Sequence, residues 1–136
     1  MPFQPRIAIL VPPHDHPEVW QTGYARKALA LGAAGLAVEQ RLWTDPGDLG
    51  GFDLVTPLFA WGYQRDVTRW FGLLDWLEAQ QLPIVNPVRL VRWNSDKTYL
   101  VDLLAQQVAV VPTIFVDALD DGSFASACDA LGASDV

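Results

Sequence analysis

The feature that most constrains this chain is an alternation of short continuous apolar runs with longer amphipathic stretches. Arg6–Val11 reads RIAILV, and Pro12-Pro13 ends it. A run that apolar has to be covered on both faces, which suits a parallel strand between layers of helices. From Glu18 to Gly32, Trp20, Tyr24, Ala28 and Leu31 recur at helical spacing, with Gly35 beyond as a stop signal. Ala37–Leu42 reads as a second strand, and its Glu39 and Arg41 give it one wetter face or an edge position. A turn-rich loop with Pro46, Gly47, Gly50 and Gly51 follows, then a strand over Asp53–Phe59 that frays at Pro57.

The stripe Val67, Trp70, Phe71, Leu74 and Leu77 predicts a helix over Asp66–Gln80. Pro83–Val85 reads as a short buried strand. Ser95–Gln106 reads as a helix with Asn94 as its N-cap, Val111–Val116 as a last strand, and Ser123–Leu131 as a final helix. Strand and helix in this order predict an α/β fold, a Rossmann-like parallel sheet flanked by helices. Gly132–Val136 follows the final helix as a helix-to-strand loop would, with Val136 placed to begin another strand. A fragment of a longer protein is the sharper expectation, and a short natural tail the plainer one.

Charge narrows the partners. The 136 residues carry 9 Lys+Arg and 16 Asp+Glu, a formal charge of −7. Residues 1–100 hold 10 acids and 9 bases, whereas residues 101–136 hold 6 acids and no base. No cluster of Lys and Arg offers a nucleic-acid footprint. No run approaches the roughly 18 apolar residues of a membrane span, and the first residues lack a signal peptide's pattern. A single Cys excludes an internal disulfide framework and suits a cytoplasmic protein.

In open α/β sheets, ligands bind beyond the carboxyl ends of the strands. Pro12–Pro17, Ala60–Gln64, Asn86-Pro87 leading to Lys97, and Asp117–Gly122 fall there. Lys97, in the first turn of the helix expected after Asn94, opposes the helix dipole unless an anion is bound there. The same Lys also reads as a solvated surface cation neutralised by Asp96.

The stretch Asn86-Pro87-Val88-Arg89-Leu90-Val91-Arg92-Trp93-Asn94-Ser95-Asp96-Lys97, followed by Val111-Pro112-Thr113, resembles the entrance to an ATP-grasp domain. The pattern is similar to that of bacterial glutathione synthetases and RimK-like ligases: an Asn after a short strand, an Asn-x-x-Lys helix, then a Pro-Thr strand. The strand-helix-strand run of Asp53–Val85 resembles the region just upstream in that family. The likeness covers most of the chain and is strongest from Leu82 to Val116.

The resemblance implies a pre-ATP-grasp domain over residues 1–105, and over residues 106–136 the truncated beginning of an ATP-grasp nucleotide-binding domain. It implies a ligase that uses ATP and Mg²⁺ to turn a carboxylate into an acyl phosphate, which an amine then attacks. Lys97 would be the first of two lysines on the ATP phosphates, with Asn94 fixing its helix. The second lysine and the Mg²⁺ ligands would lie beyond residue 136, so the fragment alone is expected to be inactive. Glutathione synthetases carry an Arg-Lys-Asp-Pro-Pro-like loop after the third strand. Ala60-Trp61-Gly62-Tyr63-Gln64 stands there in this chain, so on this resemblance the substrate carboxylate would have to be held differently.

The expected substrate is an amino acid or peptide, with Trp61, Tyr63, Asn86 and His14 as candidate contacts and a homodimer surface on the same domain. The plainer reading of Trp61 and Tyr63 is cover for the sheet edge. His14-Asp15-His16 has too few ligands for a metal site, and Cys128 reads as buried rather than nucleophilic. Asp75 and Glu78 read as the wet face of their helix. No Gly-rich phosphate loop follows a strand. A stand-alone, non-enzymatic flavodoxin-like binding module is the alternative, discriminated by the size of the native gene product.

Overall fold

The computed structural model describes residues 3–118 and 120–132. The expected loop and strand start at residues 133–136 lie outside the described residues. The chain divides into two compact units, Met1–Arg92 and Trp93–Val136. This division by compactness is a separate matter from the family boundary expected at residue 105.

Three parallel strands organise the first unit: β1 (Arg6–Val11), β2 (Ala37–Leu42) and β3 (Leu54–Thr56), in the order β2-β1-β3. β1 pairs Arg6 with Ala37 through Val11 with Leu42 on one side, and Ile7–Ile9 with Leu54–Thr56 on the other. Its central place explains its composition. Ile7, Ile9 and Val11 face a cluster with Trp20 and Phe59, against which Tyr24 and Leu31 pack. Ala8 and Leu10 face the opposite cluster, with Val55, Trp43, Leu49, Phe52, Trp70, Leu74 and Leu77. Each fully buried Leu or aromatic ring there contributes on the order of 1.5–3 kcal/mol.

β2 is an edge strand, as Glu39 and Arg41 foretold. Glu39 takes Arg6 at 2.7 Å and Arg41 at 3.0 Å, and both guanidinium groups lie over the Phe52 ring. The Asp53–Phe59 strand is shorter than expected, because Pro57 has no N–H to continue the ladder. Pro83–Val85 shrinks further, to a parallel bridge of Ile84 with Val55, since Pro83 and Pro87 leave little room for a ladder.

Helix α1 (Gln21–Ala33) covers one face of the sheet and helix α2 (Val67–Ala79) the other. α1 ends in a Schellman closure: Leu36 N–H donates to Leu31 and Gly35 N–H to Gly32, with Gly35 at φ 86°. α2 begins where its sequence says, with the Asp66 carboxylate accepting from Arg69 N–H at 3.1 Å. It ends in the same closure around Gln81, which carries the positive φ of 50° without being glycine.

Helix α3 (Val88–Ser95) departs from expectation. Pro87 opens it, its carbonyl accepting from Leu90 and Val91, and Val88 is buried in the first unit's core. The helix expected over Ser95–Gln106 is shortened to α4 (Tyr99–Ala105), and α3 ends at Ser95 just before it. Asp96 makes the break: its carboxylate accepts from Thr98 N–H at 2.9 Å, the competing local bond that Asp offers a helix.

In the second unit, helix α5 (Asp121–Leu131) starts at a capping box. Asp120 accepts from Ser123 N–H at 2.7 Å, and the Ser123 hydroxyl accepts from Asp120 N–H at 3.0 Å. Val111–Val116 is not a strand here. None of the described residues pairs with it, and Val111 is 70% exposed. Among the described residues, no helix is long and apolar enough to cross a membrane.

Candidate functional site

The strand ends of the first unit build a cleft with polar side chains in its lining. β1 runs into Pro12-Pro13, where a turn closed by His16 N–H on the Pro13 carbonyl folds the chain back. β2 delivers Trp43 and Thr44; Trp43 N–H donates to the Val11 carbonyl, and its indole Nε1 donates to the Trp61 carbonyl at 2.9 Å. That second bond ties the loop after β3 to the end of β2. Gly62 then turns the chain at φ 84° into a single 3-10 turn, Tyr63–Arg65. A Cβ on Gly62 would meet His16 Cδ2 at 2.9 Å, so only glycine allows the two loops to approach this closely.

The result is a cleft of about 150 Å³ lined by Pro13, Asp15, His16, Trp43, Thr44, Gly62, Arg65 and Asp66. Its chemistry is mixed. His16 Nδ1 accepts from Glu18 N–H at 3.2 Å, which leaves Nε2 as the hydrogen-bearing nitrogen of the neutral ring. The exposed Arg65 guanidinium makes no hydrogen bond or ion pair among the described residues. Arg65, the His16 N–H and the Thr44 hydroxyl are donors for a carboxylate, and Asp15 and Asp66 are acceptors for an ammonium group.

The sequence named neighbours of this cleft more often than its lining. Trp61 stands beside it, 38% exposed, with its ring 6.3 Å from His16 and 5.7 Å from Phe59. Tyr63 stacks on Trp70 at 5.1 Å and packs against the core, so its role there is structural. His14 and Asn86 are exposed and line neither this cleft nor the apolar groove beside it. His16, two residues after His14, lines the cleft instead. Thr44 was missed because the strand-end segments singled out did not include the end of β2. Arg65 and Asp66 were missed because the loop after β3 was taken to stop at Gln64.

Asn94 and Lys97 are brought together, but not as expected. Asn94 lies within α3, so it caps no helix; its backbone carbonyl accepts from Lys97 Nζ at 3.1 Å. Lys97 sits in the turn between α3 and α4, with its ammonium 5.4 Å from the Tyr99 ring centre. Asp96 beside it is held below the usual carboxylate range by the Thr98 backbone N–H and then by its side chain. Cys128 is half-buried. Asp75 is exposed and pairs with Arg92. Among the described residues, no three His, Cys, Asp or Glu side chains come together to hold a metal ion.

Residues 7–86 match the family described as the N-terminal domain of D-cycloserine synthetase DcsG. No curated protein matches the chain. The crystal structure of D-cycloserine synthetase DcsG is similar with a TM-score of 0.69 and 24% sequence identity, over 80% of this chain. At that identity the likeness carries the fold alone. The chain spans 36% of the length of that solved chain.

Proposed function

The chain belongs to the DcsG N-terminal domain family, and from that membership we propose that it supplies the acid-binding part of an ATP-dependent carboxylate–amine ligase of the ATP-grasp kind. The observation that carries this reading is a coincidence of two spans. Every residue lining the polar cleft, from Pro13 to Asp66, lies within the matched residues 7–86. The likeness of residues 82–116 to glutathione synthetases and RimK-like ligases supports the reaction type.

The cleft suits a small amino acid or the end of a short peptide. Arg65, with the His16 N–H and the Thr44 hydroxyl, would hold the carboxylate, while Asp15 and Asp66 would hold an ammonium group. Trp61 beside the cleft would limit water at the bound acid. Small amino acids are the first ligands to try. The setting would be the cytoplasm.

ATP with Mg²⁺ would supply the phosphoryl group that activates the carboxylate. Lys97 is held by the Asn94 carbonyl and the Tyr99 ring. The part assigned to this chain is to bind and orient the acid, with Lys97 as a candidate phosphate contact.

The test is steady-state ADP release by the full-length gene product with a panel of small amino acids. Arg65→Ala is expected to raise KM for the acid at least about tenfold, equivalent to about 1.4 kcal/mol, with KM for ATP unchanged. Lys97→Ala is expected to lower ATP-dependent turnover instead. No ADP release with any amino acid would sink the ligase reading. An unchanged KM in Arg65→Ala would sink the cleft as the acid site.

A further inference from the structure

A second, larger space opens beside that cleft. It is a groove of about 430 Å³ between α2 and the loop after β2, lined by Trp43–Gly47, Arg69, Gly72, Leu73 and Trp76. That volume falls within the range of about 300–1,000 Å³ common for small-molecule sites. Arg69, Gly72, Leu73 and Trp76 follow one another at steps of three, one and three, so they form a single stripe on α2. Trp43 and Thr44 line both spaces.

Gly72 is the independent observation. It sits mid-helix, where glycine costs about 1 kcal/mol relative to alanine. It has no positive φ, and a Cβ built on it meets nothing within 4 Å. No contact among the described residues requires a glycine there. What its missing side chain does is leave the floor of the groove open.

The walls are apolar and set in place. Trp43 is 2% exposed, its indole N–H is fixed on the Trp61 carbonyl, and its ring meets Trp70 edge-on at 5.8 Å. Leu73 is buried, and Trp76 is partly open to the groove. Two charges of opposite sign border this apolar space without pairing. Neither the Arg69 guanidinium nor the Asp45 carboxylate makes a hydrogen bond or ion pair among the described residues.

We propose that this groove is a ligand site, separate from the acid cleft, for a small aromatic carboxylate that also carries an N–H. Its ring lies against Trp43, Leu73 and Trp76, its carboxylate meets Arg69, and its N–H faces Asp45. Opposite charges within one space of this size fit a single compact molecule better than a length of polypeptide. A second copy of the chain would instead cover the apolar walls, and it is an outcome of the test.

The experiment is a calorimetric titration of the 136-residue chain with indole-3-acetate, alongside indole and tryptamine, with sedimentation run in parallel. Indole-3-acetate should bind with Kd below about 1 mM, at least about tenfold tighter than tryptamine. Arg69→Ala should erase that preference. Gly72→Leu should abolish binding while leaving Tm unchanged or higher, because leucine is the better helix former and its Cβ meets open space. If that variant does not fold, Trp76→Ala replaces it and should weaken binding at least about tenfold. Absence of binding, binding that survives Gly72→Leu and Trp76→Ala, or a dimer that either variant breaks would each overturn the proposal.

Discussion

Residues up to Arg92 and residues from Trp93 onward are built on different physics. Among the described residues, the buried apolar ones all fall between Ile7 and Val88, where a three-stranded sheet is covered on both faces. From Trp93 to Gly132 no described residue is buried. α4 has seven residues and α5 eleven, lengths at which an isolated helix is marginal in water. Order in that second region rests on local devices: the Asp120–Ser123 box, the Asp96 turn and the Trp93–Tyr99 ring contact at 4.8 Å. Burial fixes the first region, and hydrogen bonds to neighbours in sequence fix the second.

The hardest test of that contrast is a matched pair of truncations. Trp70 is fully buried between Trp43 and Tyr63, so Trp70→Ala should cost about 3–5 kcal/mol in urea unfolding. Phe124 on α5 is 48% exposed, and Phe124→Ala should cost no more than about 1 kcal/mol. Equal losses would break the comparison. Amide exchange should agree, slow in β1 and α2 and fast in α4 and α5.

The same contrast explains what could be read from the sequence. β1 was legible because a strand buried on both faces needs no polar residue, and α2 because Trp70, Leu74 and Leu77 of its stripe are buried, although Val67 is exposed and Leu73 joins the buried face instead. β2 betrayed its edge position through Glu39 and Arg41. Beyond residue 92 the pattern was ambiguous for a physical reason. Val111–Val116 has the composition of a strand, but a strand exists only where another offers hydrogen bonds, and none does among the described residues. Asn94 has the chemistry of a cap, but Pro87 had already started the helix that contains it. The candidate cleft was half legible: it lies at the strand ends, whereas the place of His16 rather than His14 in its lining depends on a turn and on Gly62, which sequence spacing does not encode.

A smaller effect separates the regions by where it is felt. Gln81 and Gln107 close α2 and α4 at φ 50° and 60°, a conformation that costs a non-glycine residue about 1 kcal/mol. Gln81→Gly should raise the global unfolding free energy by about 0.5–1 kcal/mol, less what the freer unfolded chain gives back. Gln107→Gly should slow amide exchange in α4 and leave the global midpoint where it was. A global shift from Gln107→Gly equal to that from Gln81→Gly would show that the second region is part of the same cooperative unit.

The smallest expected effect is on acid stability. Glu39 has its pKa lowered from 4.5, first by the Arg6 hydrogen bond, against desolvation, and then by the charges of Arg6 and Arg41. Asp120 is lowered from 3.8, chiefly by the Ser123 backbone N–H. A carboxylate whose folded pKa lies below its unfolded one stabilises the fold fully above the unfolded value. That contribution fades as pH falls through the folded value, so both groups act below about pH 4.5. Glu39 joins β1 to β2, so Glu39→Gln should flatten part of the acid slope of the global transition and lower stability slightly at pH 7. Asp120→Asn keeps a good capping side chain but loses the charge. It should flatten the pH dependence of amide exchange at the start of α5 alone, with the global acid slope unchanged. An acid slope in Glu39→Gln identical to that of the parent chain would remove the Arg6–Glu39–Arg41 cluster from the forces that hold the sheet edge.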